Sequence, residues 1–210
     1  MSNQRILLVY PNERDMSLVP PVIGLFASVL RERGHIVSMF DSTGYDFEGK
    51  ADSDVEAEKK LFNAPIEAAS SKGIKIKLTN MYDDFVNKVE EFQPTLIAMT
   101  VTESTFIRGM KLIDHLRFKK KYNILTIVGG VFATFSPERV ISEGAVDIVC
   151  VGEGEVALVK LCEKLEKSEN FFNVANLWVK KKDGTVVKNN PGSAVDINLL
   201  PPIDFSIFEN

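Results

Sequence analysis

Four short apolar runs, rich in β-branched residues, constrain the fold of this chain more than any other feature: Ile6–Tyr10 (ILLVY), Leu96–Val101 (LIAMTV), Ile124–Val128 (ILTIV) and Asp147–Val151 (DIVCV). None of them alternates apolar and polar side chains. Continuous runs of this kind become strands buried on both faces, the environment of a parallel sheet covered by helices on either side. A weaker run of the same character lies at Ile36–Asp41 (IVSMFD).

Helical spacing fills the intervals. Val22, Leu25, Phe26, Val29 and Leu30 share one helix face, with Pro21 suited to the first turn and Gly34 to the residue just past the end. Phe85, Val86, Val89 and Phe92 mark a second helix closed by Pro94, and Phe106, Met110, Ile113 and Arg117 a third. Val156, Val159, Leu161, Cys162 and Leu165 define a later one, and a short helix over residues 137–142 spans the step between the last two strong strands. Strands and helices in alternation imply right-handed βαβ crossovers. The expected fold is therefore α/β, a flavodoxin-like (Rossmann-like), doubly wound, five-stranded parallel sheet in the order 2-1-3-4-5.

Two segments depart from this repeat. Residues 43–80 form a long polar insertion with a helical stretch at 55–62, and connections of that length usually act as lids or carry function. Residues 177–187 (LWVKKKDGTVV) read as a β-hairpin turning at Asp183-Gly184. The proline-rich, apolar tail 200–208 (LPPIDFSIF) reads as a linker that docks on something. The division expected is a ligand-binding domain over residues 1–167, followed by hairpin and linker over 168–210.

Bulk properties narrow the function. A net charge of −4 gives no reason to expect nucleic acid or an anionic membrane as partner. There is no run of 18 apolar residues that could cross a bilayer, and with strand-like sequence from Ile6 no signal peptide is expected. Cys150 and Cys162, the two cysteines, read as buried thiols of a reducing, cytoplasmic protein. With no histidine nearby they make no zinc or iron–sulfur site.

In an open parallel sheet, ligands bind beyond the carboxyl ends of the strands. The loops there are Pro11-Asn12 with the run from Val19 to Gly24, then Thr102-Glu103-Ser104-Thr105, then the run from Gly129 to Thr134, then Gly152-Glu153-Gly154-Glu155. Glycine lets a flat, bulky ligand approach the backbone, and hydroxyls supply hydrogen bonds. The acidic cluster of a phosphorylation receiver and the hydroxyl-rich phosphate loop of a flavodoxin are both absent. The run from Gly152 to Ala157 fits G-x-G-x-x-A, but it follows the last strand and sets two carboxylates where a pyrophosphate would lie. Glu153 and Glu155 are instead expected to cap the following helix. His35 and His115, the only histidines, fall outside these loops, and no nucleophile–base pair stands out, so the domain alone is not expected to catalyse a reaction.

Taken together, the run from Val128 to Glu138 (VGGVFATFSPE), the run from Asp147 to Glu155 (DIVCVGEGE), Pro20-Pro21-Val22-Ile23-Gly24-Leu25 in the first loop, and Leu199-Leu200-Pro201-Pro202-Ile203-Asp204 before the end resemble the cobalamin-binding domain of cobalamin-dependent radical S-adenosylmethionine enzymes. Gly129-Gly130-Val131-Phe132 stands where many members carry Gly-Gly-Pro-His. The Asp-x-His-x-x-Gly of the methionine-synthase type is missing after strand one. The resemblance thus implies cobalamin bound base-off, with no histidine beneath cobalt, and a side chain of Thr102–Thr105 is expected as its lower neighbour. Its contacts are expected from Pro11, Asn12, Pro21, Gly24, Thr102, Glu103, Ser104, Thr105, Gly129, Gly130, Gly152, Glu153 and Gly154, with Val131, Phe132 and Ala133 lining an apolar slot for the base of the nucleotide tail.

The resemblance further implies a radical barrel in the same full-length chain, carrying an iron–sulfur cluster and S-adenosylmethionine, and a methyltransferase or radical rearrangement acting on a small molecule. Two rival readings remain: a degenerate domain without cofactor that serves assembly or regulation, and an unrelated flavodoxin-like binding protein. Nothing here matches Cys-x-x-x-Cys-x-x-Cys, and the chain stops where that barrel would start, so a piece of a longer protein is expected. Sequencing the coding region past Asn210 checks this: it should run on into that motif.

Overall fold

The computed structural model describes residues 3–13, 19–45, 77–120, 122 and 124–209. Residues 46–76, most of the polar insertion and all of its expected helical stretch, lie outside these. In chain order the elements are β1 (Arg5–Tyr10), α1 (Pro21–Arg31), β2 (Ile36–Asp41), α2 (Met81–Phe92), β3 (Leu96–Thr100), α3 (Glu103–Lys120), β4 (Leu125–Gly129), α4 (Val131–Phe135), α5 (Pro137–Ile141), β5 (Ile148–Cys150), α6 (Glu155–Glu166), β6 (Leu177–Lys180) and β7 (Val186–Lys188). None of the described helices is long and apolar enough to cross a membrane.

The strands form one sheet in the order β2-β1-β3-β4-β5-β6-β7, with the first five parallel. The order 2-1-3-4-5 is that expected, but the sheet has seven strands rather than five. The hairpin at Asp183-Gly184 pairs antiparallel with β5, setting Trp178 beside Val149 and Leu177 beside Cys150. Left alone, β5 would expose a row of unpaired backbone groups, and β6 satisfies them. Leu177 and Val179 are fully buried in the process.

Alternation along the strands splits the core in two. Leu7, Val9, Ile97, Met99, Val128 and Val149 point toward α2, α3, α4 and α5. Ile6, Leu8, Ala98, Ile127, Ile148 and Cys150 point toward α1 and α6. Local chemistry sets the helix ends. Pro21 opens α1, and Gly34, at φ +81°, follows its end. The Asn80 side chain accepts hydrogen bonds from the backbone N–H groups of Tyr82 and Asp83, at 2.9 and 3.1 Å, to start α2. One residue departs from the expected helix face: Val156 in α6 is 44% exposed.

The tail packs on this domain itself. The Asp204 N–H donates to the Gly24 carbonyl at 3.2 Å, Arg31 pairs with Asp204, and Ile207 is buried against the α1 side of the core. A side chain at Gly24 would place its Cβ 2.5 Å from Ile203 Cγ2, so the glycine is what lets the tail lie against the helix.

His35 lies at the turn between α1 and β2, at the end of the sheet opposite the loops described below. It is 4% exposed, with Nδ1 3.5 Å from a Glu166 carboxylate oxygen. Burial holds its pKa below the usual 6.5, with Glu166 and Glu163 opposing and Arg33 adding to the depression. Protonation therefore favours the unfolded chain: this contribution to stability is present above pH 6.5 and is lost as the pH falls below it. Denaturant unfolding at neutral and mildly acidic pH should show a lower midpoint in acid, and His35→Gln should flatten that difference.

Candidate functional site

Because β1, β3, β4 and β5 are parallel, the loops that follow them emerge along one rim. Hydrogen bonds hold three of these loops at a common level. The Val101 N–H donates to the Gly129 carbonyl at 2.9 Å, and the Phe132 N–H donates back to the Val101 carbonyl at 3.3 Å. The Thr134 hydroxyl donates to the Gly130 carbonyl and accepts from the Gly152 N–H, each at 3.0 Å. Gly130 has φ +98°, and a Cβ there would fall 2.6 Å from the Val101 carbonyl oxygen. Only glycine satisfies both constraints.

Below the rim, between the sheet and helices α1 and α6, is a cavity of about 140 Å³. Its floor is a row set by strand register, Leu8 beside Ala98 beside Ile127. Ala98 is the small member of that row and leaves the dip. Val22, Ile23 and Phe26 of α1 form one wall, Leu158 of α6 and Cys150 contribute to the other, and Thr100, Gly129, Gly130, Gly152, Glu153, Gly154 and Glu155 complete the lining. Burial, with the Glu155 charge adding to it, pushes the Cys150 thiol up to about 12, so it stays protonated and behaves as an apolar wall.

Of the residues expected to bind a ligand, Gly129, Gly130, Gly152, Glu153 and Gly154 meet at this cavity. Val131, Phe132 and Ala133 do not line it. After Gly130 the chain turns onto the opposite face of the sheet. There Phe132 packs on Phe106, with centroids 4.8 Å apart, Ala133 is buried, and Val131 is 63% exposed. Pro11 is buried close to Gly109. Asn12 is buried as well, and its side chain donates to the Thr43 hydroxyl at 3.0 Å, joining the ends of β1 and β2. Pro21 is exposed in the first turn of α1, and Gly24 lies under the tail.

Thr102, Glu103 and Ser104 are exposed at the start of α3, and Thr105 is buried. The hydroxyls of Thr102, Ser104 and Thr105 form a small cluster, with Thr102 Oγ1 3.0 Å from Ser104 and 3.1 Å from Thr105. Neither glutamate caps α6 with a side-chain hydrogen bond, contrary to expectation. Gly154 is the N-cap, Glu155 sits in the first turn, and a Glu153 carboxylate oxygen accepts from the Val195 N–H of the tail at 2.8 Å.

Neither histidine is at this rim. His115 lies twelve residues into α3 from Glu103, about 18 Å along the helix axis at the usual rise, beside Asp83 and Tyr82. Sequence reasoning missed the apolar lining, since Leu8, Ile23, Phe26 and Ile127 look like any other core positions. The readable signal was Ala98, a small residue inside a strand of leucine, isoleucine and methionine.

The B12 binding domain family matches residues 20–162 of the chain. No curated protein matches the sequence. Among solved structures, the radical S-adenosylmethionine methyltransferase TsrM from Kitasatospora setae, with cobalamin and a [4Fe-4S] cluster bound, is similar over 96% of this chain and 31% of its own, at 15% identity and a TM-score of 0.65. The cobalamin-dependent S-adenosylmethionine radical enzyme OxsB with aqua-cobalamin bound is similar over 98% of this chain and 25% of its own, at 17% identity and a TM-score of 0.66. At these identities the likeness is one of fold, and the chain spans between a quarter and a third of the length of either protein.

The rim geometry has a direct test. Gly130→Ala should cost about 1–3 kcal/mol of unfolding free energy, through positive φ and the clash with Val101, whereas Gly144→Ala, where a Cβ meets nothing within 4 Å, should cost far less. Denaturant titration of the two variants measures the difference.

Proposed function

We propose that this chain, which belongs to the B12 binding domain family, holds cobalamin across the rim, with the base of the nucleotide tail in the cavity and the corrin ring over the glycine turns. The observation that carries the reading is the cavity itself: largely apolar, about 140 Å³, and bounded by the end of β3 and by the turns after β4 and β5. An apolar protein cavity of roughly 150 Å³ stays dry and admits benzene, so this one suits an aromatic ring system and is far too small for a corrin. The macrocycle must then lie outside, where Gly129, Gly130 and Gly152 present backbone without side chains.

The absence of histidine from the rim loops supports a base-off arrangement in which no imidazole lies beneath cobalt. The Thr102–Thr105 hydroxyl cluster at the end of β3 is the polar group of this chain best placed to face that side. When bound, the cofactor supplies a cobalt centre able to carry a methyl group. The chain's own residues do the holding: the rim amides orient, α1 and α6 enclose the base, and the apolar lining keeps water from it.

Within a longer protein, we read the domain as the cobalamin-binding part of a cytoplasmic radical S-adenosylmethionine enzyme that methylates a small molecule. The iron–sulfur cluster and S-adenosylmethionine would be held by another part of that protein. Both structural neighbours are radical S-adenosylmethionine enzymes, and TsrM is a methyltransferase, which supports the chemistry of this reading.

Hydroxocobalamin mixed with the chain and passed through gel filtration should co-elute with a shifted visible spectrum. Ala98→Leu, which fills the dip in the floor, should weaken retention about tenfold or more while the protein stays folded. His35→Gln and His115→Gln should leave the bound spectrum unchanged. Failure of the cofactor to co-elute would sink the reading in favour of a ligand-free assembly module.

A further inference from the structure

One group in the cavity lining has an unmet hydrogen-bonding need. The Glu155 Oε2 atom is buried and has no hydrogen-bond partner among the described residues. Its neighbours are accounted for: the Glu153 carboxylate is engaged by the Val195 N–H, and the Cys150 thiol stays protonated. Glu155 and Cys150 both line the cavity. A buried carboxylate oxygen without a donor is costly, and native proteins seldom leave one so. Glu155 occupies the first turn of α6. It therefore presents an acceptor that waits for a donor.

We propose that Glu155 makes this cavity selective for a heteroaromatic ring with an N–H donor on its edge, so that a corrinoid with an aminopurine base binds better than one with dimethylbenzimidazole. The inference rests on the corrinoid reading above and adds the chemistry of the base. Apart from Thr100, Glu153 and the rim glycines, the rest of the lining is apolar floor and helix wall, which offers little to a group with several polar atoms. A ribose or phosphate placed there would leave multiple hydroxyls or oxygens unpaired. A flat ring with one donor edge matches one orphaned acceptor. The edges of unprotonated dimethylbenzimidazole carry only C–H, methyl and a ring-nitrogen acceptor, and they leave the carboxylate unsatisfied. The exocyclic amine of an aminopurine supplies the missing donor, in a charge-assisted hydrogen bond.

The test titrates the chain with the adenine-containing and the dimethylbenzimidazole-containing corrinoid at mildly alkaline pH, following visible absorbance. The adenine form should bind about ten- to a hundredfold tighter. Glu155→Met, similar in length but with no acceptor, should erase the preference, and Glu155→Gln, which brings its own donor, should weaken it. Melting temperatures of both variants report whether they are folded, and either folded variant suffices. Equal affinities in the unaltered chain overturn the proposal, as does a preference that survives Glu155→Met. If neither corrinoid binds, the cobalamin reading itself fails. 7-Methyladenine and 1,5,6-trimethylbenzimidazole, whose ring N–H is blocked as in the nucleotide, compared by the shift each gives in the melting temperature, then decide the cavity preference alone: a larger shift with the methyladenine upholds it, and an equal or smaller one overturns it.

Discussion

The close approach of Gly130 to the end of β3 holds the rest of the site in place. With its α-carbon packed against Val101, the turn after β4 sits level with the turn after β3, and the two exchange backbone hydrogen bonds. Thr134 then carries the same level across to Gly152 after β5. Three turns that belong to different βα units become one shelf. A side chain at residue 130 would lift the middle turn and open the gap that the hydrogen bonds now close.

Beneath that shelf, the strand register decides what can be bound. Leu8, Ala98 and Ile127 stand side by side on the α1–α6 face, and the smallest of them is in the middle. Their neighbours in the chain, Leu7, Val9, Ile97, Met99 and Val128, face the other way and belong to the core that packs against α2, α3 and α4. The sheet therefore has one face suited to a ligand fragment and one that is plain core. A shift of any strand by one residue would exchange the two faces. The chain after Gly130 turns to the plain face, which is why Phe132 meets Phe106 and not the cavity.

The C-terminal segment shapes the site from outside. The hairpin covers the edge of β5, Asn176 donates to the Glu153 carbonyl at 2.9 Å, and Val195 engages the Glu153 carboxylate. These contacts turn one glutamate of the Gly-Glu-Gly-Glu run toward the tail and leave its neighbour at residue 155 bordering the cavity. Two residues that look equivalent in sequence thus have different surroundings: one has a donor on its carboxylate, and the Oε2 of the other has none among the described residues.

Local patterns in the amino-acid sequence determined the fold class, the strand order and the edge of the sheet at which the cavity lies. Buried strands, amphipathic helices, Pro21, Gly34 and the Asp183-Gly184 turn all act over a few residues, so their signals can be read along the chain. The glycine turns were legible for the same reason, and Gly129, Gly130, Gly152 and Gly154 do meet at one cavity. Tertiary structure alone decided which face holds the cavity, that Gly24 serves the tail, that the hairpin extends the sheet, and that the Glu155 Oε2 atom is buried with no donor among the described residues. Each of these depends on contact between segments far apart in sequence, through strand register and packing, and no local pattern encodes such contacts.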